Sequence, residues 1–146
     1  MLKSLPVRVF RLLPWLGLLF LTGCGGQKAV TVSGKLVLPN TVKLADTDAV
    51  SINFLAQDKD VNNALAVFSK NDNSFECKGT VSKAKYKITV RIEPYSGQPD
   101  SEKRAAALEG TNKNFDRDAT KLTYETTQDA SQSITIDLNA GTVTKN

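Results

Sequence analysis

The chain has 146 residues, with 19 Lys plus Arg against 15 Asp plus Glu and no histidine. The missing histidine excludes Ser-His-Asp and Cys-His catalysis and every His-ligated zinc site. Lys3, Arg8 and Arg11 account for much of the basic excess, and without residues 1–23 the balance is 16 basic against 15 acidic. A basic surface for nucleic acid is therefore not supported, and no nucleic-acid partner is expected.

From the amino end, Lys3, Arg8 and Arg11 form a positive region ahead of an apolar run from Leu12 to Leu21, interrupted only by Pro14 and Gly17. This is the layout of a secretory signal peptide. As a helix the apolar run would rise about 15 Å, whereas a bilayer core of about 30 Å takes roughly 20 apolar residues. A permanent transmembrane helix is disfavoured. The run closes on Leu21-Thr22-Gly23-Cys24, followed by Gly25-Gly26.

Those residues resemble the lipobox at which bacterial lipoprotein precursors are acylated and cut. The resemblance implies cleavage between Gly23 and Cys24, a diacylglycerol in thioether linkage to the Cys24 sulfur, and acylation of the freed amino group. Two or three acyl chains give stable anchoring where one gives only reversible binding, because each buried methylene adds about 0.8 kcal/mol. Residues 1–23 are then a signal peptide, 24–28 a lipidated tether and 29–146 the folded body. The alternatives are an ordinary secretory leader with a chance cysteine, or an uncleaved anchor. The protein is expected to be exported and lipid-anchored to the cell membrane. Gly25 stands where inner-membrane retention signals place Asp, so in a cell with two membranes the outer one is the expected address.

A body of this length buries enough surface to fold as one domain without disulfides. Lipidation of Cys24 leaves Cys77 without an intramolecular partner, so Cys77 is expected to be free and buried.

Along the body, Ala29 to Leu38 alternates Val30, Val32, Gly34, Leu36 and Leu38 against Thr31, Ser33 and Lys35, the pattern of a half-buried strand. Ala49 to Gln57 repeats it with Val50, Ile52 and Phe54. Ala64 to Ser69 is a third strand, and Asn71-Asp72-Asn73 supplies turn-tolerant residues before Phe75 and Cys77 resume alternation, which predicts a hairpin. Tyr86 to Ile92 is the clearest strand, ended by Pro94. Glu93 to Lys121 is a polar excursion, where Asp100 or Ser101 caps a short helix through Leu108 with Gly110 as its stop signal. Leu122 to Thr126 and Ser133 to Leu138 return to strand, and Val143 marks a last short one. The expected fold is all-β: an antiparallel two-sheet β-sandwich of about seven strands with a long loop or short helix insertion near 93–121.

The ordering of Val32-Ser33-Gly34-Lys35-Leu36, Asn73-Ser74-Phe75 with Gly79, and Tyr86-Lys87-Ile88-Thr89-Val90 is similar to the transthyretin-like, carboxypeptidase-regulatory-like domains of many small bacterial lipoproteins. Phe115, Thr120-Lys121-Leu122-Thr123 and Ile136-Asp137-Leu138 continue the likeness. One departure is that the family's usual Asp-Gly turn is replaced by Asp72-Asn73-Ser74, which leaves the turn type and register open. The resemblance implies a prealbumin-like sandwich without catalytic residues, and it transfers no ligand.

Candidate chemistry is sparse. Cys77 alternates in phase with Phe75, as a core residue does, although Lys78 beside it would favour a thiolate. Asp58-Lys59-Asp60-Val61-Asn62 begins like a calcium loop, but Asn63 replaces the Gly and Ser69 the Glu that the loop requires. Asp116 and Asp118 flank Arg117, a neighbour that can offset their charge without a metal, and no metal or other cofactor is expected. A carboxylate pair for glycoside hydrolysis is not identifiable from sequence. Lys83-Ala84-Lys85 reads as a solvated turn. Tyr95 and Phe115, with Tyr124, are candidates for an aromatic binding surface, against the plainer reading that they fill the core.

The preferred reading is a non-enzymatic, membrane-anchored structural or protein-interaction module that presents the 93–121 segment to an envelope protein. The alternative is a binding module for glycan or another wall component through Tyr95 and Phe115. A hydrolase is the least favoured.

Overall fold

A computed structural model describes residues 26–146. The leader, Gly23, Cys24 and Gly25 lie outside the described residues.

Period-two alternation becomes strand wherever the sequence carries it. In β5 (Lys85–Glu93) Tyr86, Ile88, Val90 and Ile92 are all buried. β1 (Ala29–Val37) buries Val30, Val32 and Leu36, and β2 (Ala49–Ala56) buries Ile52 and Phe54. β3 (Ala64–Ser69), β4 (Ser74–Val81), β6 (Thr123–Glu125), β7 (Ser131–Asp137) and β8 (Thr142–Lys145) complete the strands, and α1 (Ser101–Asn114) falls between β5 and β6. Side chains of this size each contribute about 1.5–3 kcal/mol on full burial. Phe54 anchors the core, its ring centroid 6.3 Å from that of Phe75 and 6.0 Å from that of Tyr86, the latter edge-on at 76°. The Tyr86 hydroxyl accepts the Val81 amide at 3.0 Å, which satisfies its one polar atom.

The described residues form an all-β fold, with eight strands hydrogen-bonded in the order β6-β5-β2-β3-β4-β1-β7-β8. The end strands β6 and β8 approach each other, so the sheet is nearly closed. This differs from the expectation of about seven strands, because the Val143 segment pairs fully with β7. β3 shares itself between neighbours: Ala64 to Ala66 pairs with β2, and Val67 to Ser69 pairs with β4.

One pairing is not antiparallel. β1 and β7 run parallel from Thr31↔Ser131 to Val37↔Asp137. The chain leaves β6 at Glu125, beside Lys85 at the start of β5, and only residues 126–130 separate it from Ser131. β7 must therefore begin at the end where β1 begins.

The departure from Asp-Gly at the hairpin is absorbed locally. Asn73 adopts φ +52°, a left-handed conformation that Asn tolerates well. Asp72 Oδ1 accepts from the Ser74 hydroxyl at 2.7 Å, and Lys35 Nζ reaches Asp72 Oδ2 at 2.9 Å. Phe75 and Cys77 keep their inward register. Farther along, β4 carries a bulge, since Val30 pairs with Thr80 but Val32 with Cys77. Thr80 rather than Gly79 consequently turns inward, its hydroxyl donating to the Val30 carbonyl at 2.7 Å.

Candidate functional site

The 93–121 excursion is the largest departure from the strand pattern, and the structure attaches it along the free edge of β5. β6 covers only Lys85 to Lys87 of that edge. Beyond it, the Ile88 amide donates to the Leu122 carbonyl at 2.8 Å, and the Thr120 hydroxyl donates to the Ile88 carbonyl at 2.8 Å. The Val90 amide donates to the Phe115 carbonyl at 3.1 Å. At Ile92 the side chain of Asn112 takes over: its Oδ1 accepts the amide at 2.8 Å and its Nδ2 donates to the carbonyl at 2.9 Å. A bare strand edge would leave these groups open to pairing with another chain.

α1 itself is longer than expected, running from Ser101 to Asn114 through Gly110. Asp100 occupies the N-cap position but makes no side-chain capping bond, and Phe115 rather than Gly110 ends the helix. Gly in a helix interior costs about 1 kcal/mol relative to Ala, so contacts with the body must hold this turn. They lie on one stripe, Arg104, Leu108 and Asn112, at successive four-residue steps. Leu108 is the one residue of the helix that is buried.

Arg104 supplies the second attachment. Its Nε donates to Asp48 Oδ1 at 2.8 Å and Oδ2 at 3.1 Å, and its terminal nitrogen reaches Asp48 Oδ2 and the Lys43 carbonyl. Asp48 Oδ2 also accepts the Ala45 amide at 2.8 Å. The Asp48 side chain has no solvent exposure, whereas Arg104 keeps 32%. Hydrogen bonding from Arg104 holds the Asp48 carboxyl below its ordinary value, against the opposing effect of burial. Lys70 Nζ closes the same corner on the backbone carbonyls of Asp46 and Asp48.

Between α1 and the end of β5 lies an open groove of about 850 Å³, lined among others by Ile92, Pro94, Ala105, Glu109, Asn112 and Lys113. A second cleft of about 600 Å³ is bounded by Lys35, Lys43, Lys70 and the 36–44 backbone. Both are shallow and mixed in character. Among the described residues no buried side-chain nitrogen or oxygen is left without a hydrogen-bond partner, so no orphaned polar group points at a ligand in either. No group of three or more metal-ligating side chains occurs among them.

The residues singled out from sequence fall as follows. Tyr95 is 62% exposed, with its ring over Gly97, where an added Cβ would come within 2.6 Å of it. Phe115 is 8% exposed and belongs to the core. The two therefore do not form one exposed aromatic surface. Tyr124 is half-buried, its hydroxyl donating to Gln132 Oε1 at 2.6 Å. Cys77 is free and fully buried, and desolvation raises its thiol pKa, which suits packing and not nucleophilic attack. In the 58–63 loop, Asn63 Oδ1 accepts the Ala56 amide at 2.9 Å, a turn-closing bond. Asp116 Oδ1 similarly accepts the amides of Asp118 and Ala119 at 2.9 and 2.8 Å. Lys83 stands at φ +57° in a tight turn, Ala84 is buried, and Lys85 pairs with Glu125.

Asn112, Arg104 and Asp48 escaped the sequence reading. The available signal was indirect: Gly110-Thr111-Asn112 is a run of poor helix formers, and a helix that crosses it needs support from elsewhere. Comparison with protein-family models, curated proteins and solved structures found no match to this chain.

Proposed function

We propose that this is a non-enzymatic, lipid-anchored cell-envelope lipoprotein whose β body presents α1 and its flanking loops as a protein-interaction surface. The observation that carries the reading is the order basic residues, short apolar run, Leu21-Thr22-Gly23-Cys24, a leader whose apolar run is too short to span a bilayer as a helix and which is followed by an acylatable cysteine. Among the described residues no helix is long and apolar enough to cross a membrane. Supporting the second half, α1 is fastened by Arg104, Leu108 and Asn112 while Glu102, Lys103, Ala105, Ala106, Ala107 and Glu109 remain exposed. Rigid attachment with a solvent-facing outer surface reduces the ordering cost of binding a partner.

The body is further read as a transthyretin-like sandwich, with β6-β5-β2 in one layer, β4-β1-β7-β8 in the other, and β3 passing from one to the other. Its change of partner between Ala66 and Val67 supports this reading, because sandwich corners form where a strand switches sheets. With Gly25 after the cysteine, delivery to the outer membrane follows in a cell that has two.

Cys24→Ala tests the anchor. The variant is expected in the aqueous fraction after export, while the parent sediments with membranes, and mass spectrometry of the parent should find Cys24 amino-terminal and acylated. An unmodified Cys24, or a variant that stays membrane-bound after export, would contradict the assignment.

A further inference from the structure

We infer that the protein stands upright on its bilayer, with the Lys28–Ser82 end against the lipid headgroups and the α1 end, carrying both clefts, directed away. The inference rests on lipidation of Cys24 and adds the orientation in which the α1 surface meets its partner.

Strand directions define the two ends. β1 starts at the tether and runs to Val37, and the antiparallel ladders to β4, β3, β2 and β5 fix the sense of every other strand in turn. Loops 57–63, 82–84 and 126–130 share the tether end. Loops 38–48, 70–73 and 94–100, with α1 and turn 138–141, share the other. Hydrogen bonds knit each end separately: Thr31 amide to Ala130 carbonyl and Lys83 amide to Thr126 carbonyl at the first, Arg104 to the Lys43 carbonyl at the second.

Lys28 is already part of the body. Its amide donates to Ser82 Oγ at 3.2 Å and its carbonyl accepts the Ser82 amide at 2.8 Å. Only Gly25, Gly26 and Gln27 separate Cys24 from that fixed point, four Cα–Cα steps with a reach of about 14 Å fully extended. β1 rises about 30 Å over its length. To turn the α1 end onto the bilayer, the tether would have to run the height of the body, about twice what it can span.

Among the described residues the flanks' large exposed apolar surface is confined to two neighbouring side chains of β3. Of the large apolar side chains that are exposed, Leu65 and Val67 lie on a flank, whereas Val37 and Tyr95 lie at the α1 end. At the tether end the Lys85–Glu125 and Lys145–Asp129 pairs are already neutralised, and Asp58 and Asp60 offset Lys28, Lys59 and Lys83 to within one charge, so the seat is set by the tether more than by charge. The α1 surface is thereby held within about 45 Å of the bilayer.

The test uses the lipidated full chain in phosphatidylcholine vesicles that contain a nickel-chelating lipid. A nitroxide is attached in separate Gln128→Cys and Asn139→Cys variants, Cys77 being too buried to label in the native state. Nickel-induced relaxation is expected at position 128 and lost at position 139. Equal relaxation at both, or more at 139, in vesicle-bound protein would overturn the orientation while leaving the anchor intact. Protein that fails to float with vesicles would instead remove the anchor, and the orientation with it. Inserting a long Gly-Ser segment after Gly26 is expected to equalise the two labels, and an asymmetry that survives it would refute control by the tether.

Discussion

Asn112 substitutes for a strand: its carboxamide forms with Ile92 the donor and acceptor pair that a ninth strand would have formed with β5. Asn112→Ala would leave a part-buried amide and carbonyl without partners, and an unsatisfied buried group costs about 1–3 kcal/mol. The loss should appear in urea unfolding, and amide exchange at Ile92 should accelerate more than at Ile88, whose partner is the Leu122 backbone. Equal exchange at the two sites would show that the carboxamide is not what protects the edge.

Arg104 and Asp48 should respond unequally to truncation. Asp48→Ala releases an arginine that is 32% exposed and can hydrate, so loss of the pair is expected to cost about 1 kcal/mol. Arg104→Ala strands a fully buried carboxylate, and breaking a buried pair in this sense costs about 3–5 kcal/mol. The pH dependence has a definite sign. Because the folded-state pKa of Asp48 lies below its ordinary 3.8, the stabilisation is present above that value and is lost as pH falls through the lower folded one. In Arg104→Ala the carboxyl loses the cation that kept it ionised, so its deficit should shrink as acid protonates it. Urea midpoints measured at pH 7 and pH 3 for both variants decide the matter, and a constant Arg104→Ala deficit would refute the buried-charge explanation.

Most strands were legible because their inward positions are large and apolar while their outward ones are Thr, Ser, Lys or Asn, as in Tyr86 to Ile92. The parallel β1–β7 pairing was not, since period-two alternation records which face is buried and nothing about the neighbour's direction. That direction is set by the short 126–130 connection. The end of α1 was misplaced because Gly110 obeys local propensity only where no tertiary contact intervenes, and Asn112 and Leu108 lie on either side of it. Phe115 and Tyr95 look alike as loop aromatics in sequence. Burial separates them, because the Phe115 carbonyl is drawn onto β5 by the Val90 amide and its ring goes into the core with it. Asp48 and Arg104 stand 56 positions apart, and no local pattern pairs a carboxylate before one strand with an arginine on a distant helix.

Gly34 and Gly110 make the same substitution opposite in sign. A Cβ on Gly34 would lie 1.7 Å from the carbonyl oxygen of Ile134 on the parallel neighbour, and a backbone atom cannot swing aside. Overpacking a well-filled site costs about 1–3 kcal/mol and occasionally more, and Gly34→Ala should lie at or above the upper end because relief requires parting β1 from β7. Around Gly110 no atom beyond its own stretch of helix and chain neighbours lies within 4 Å of the added carbon, so Gly110→Ala should stabilise the protein by about 0.5–1 kcal/mol through helix propensity. Denaturant midpoints give both signs. In Gly34→Ala, faster amide exchange along β7 with continued protection along the β2–β5 ladder would locate the damage at the parallel pairing, whereas uniform loss would mean that this one contact governs the whole sheet.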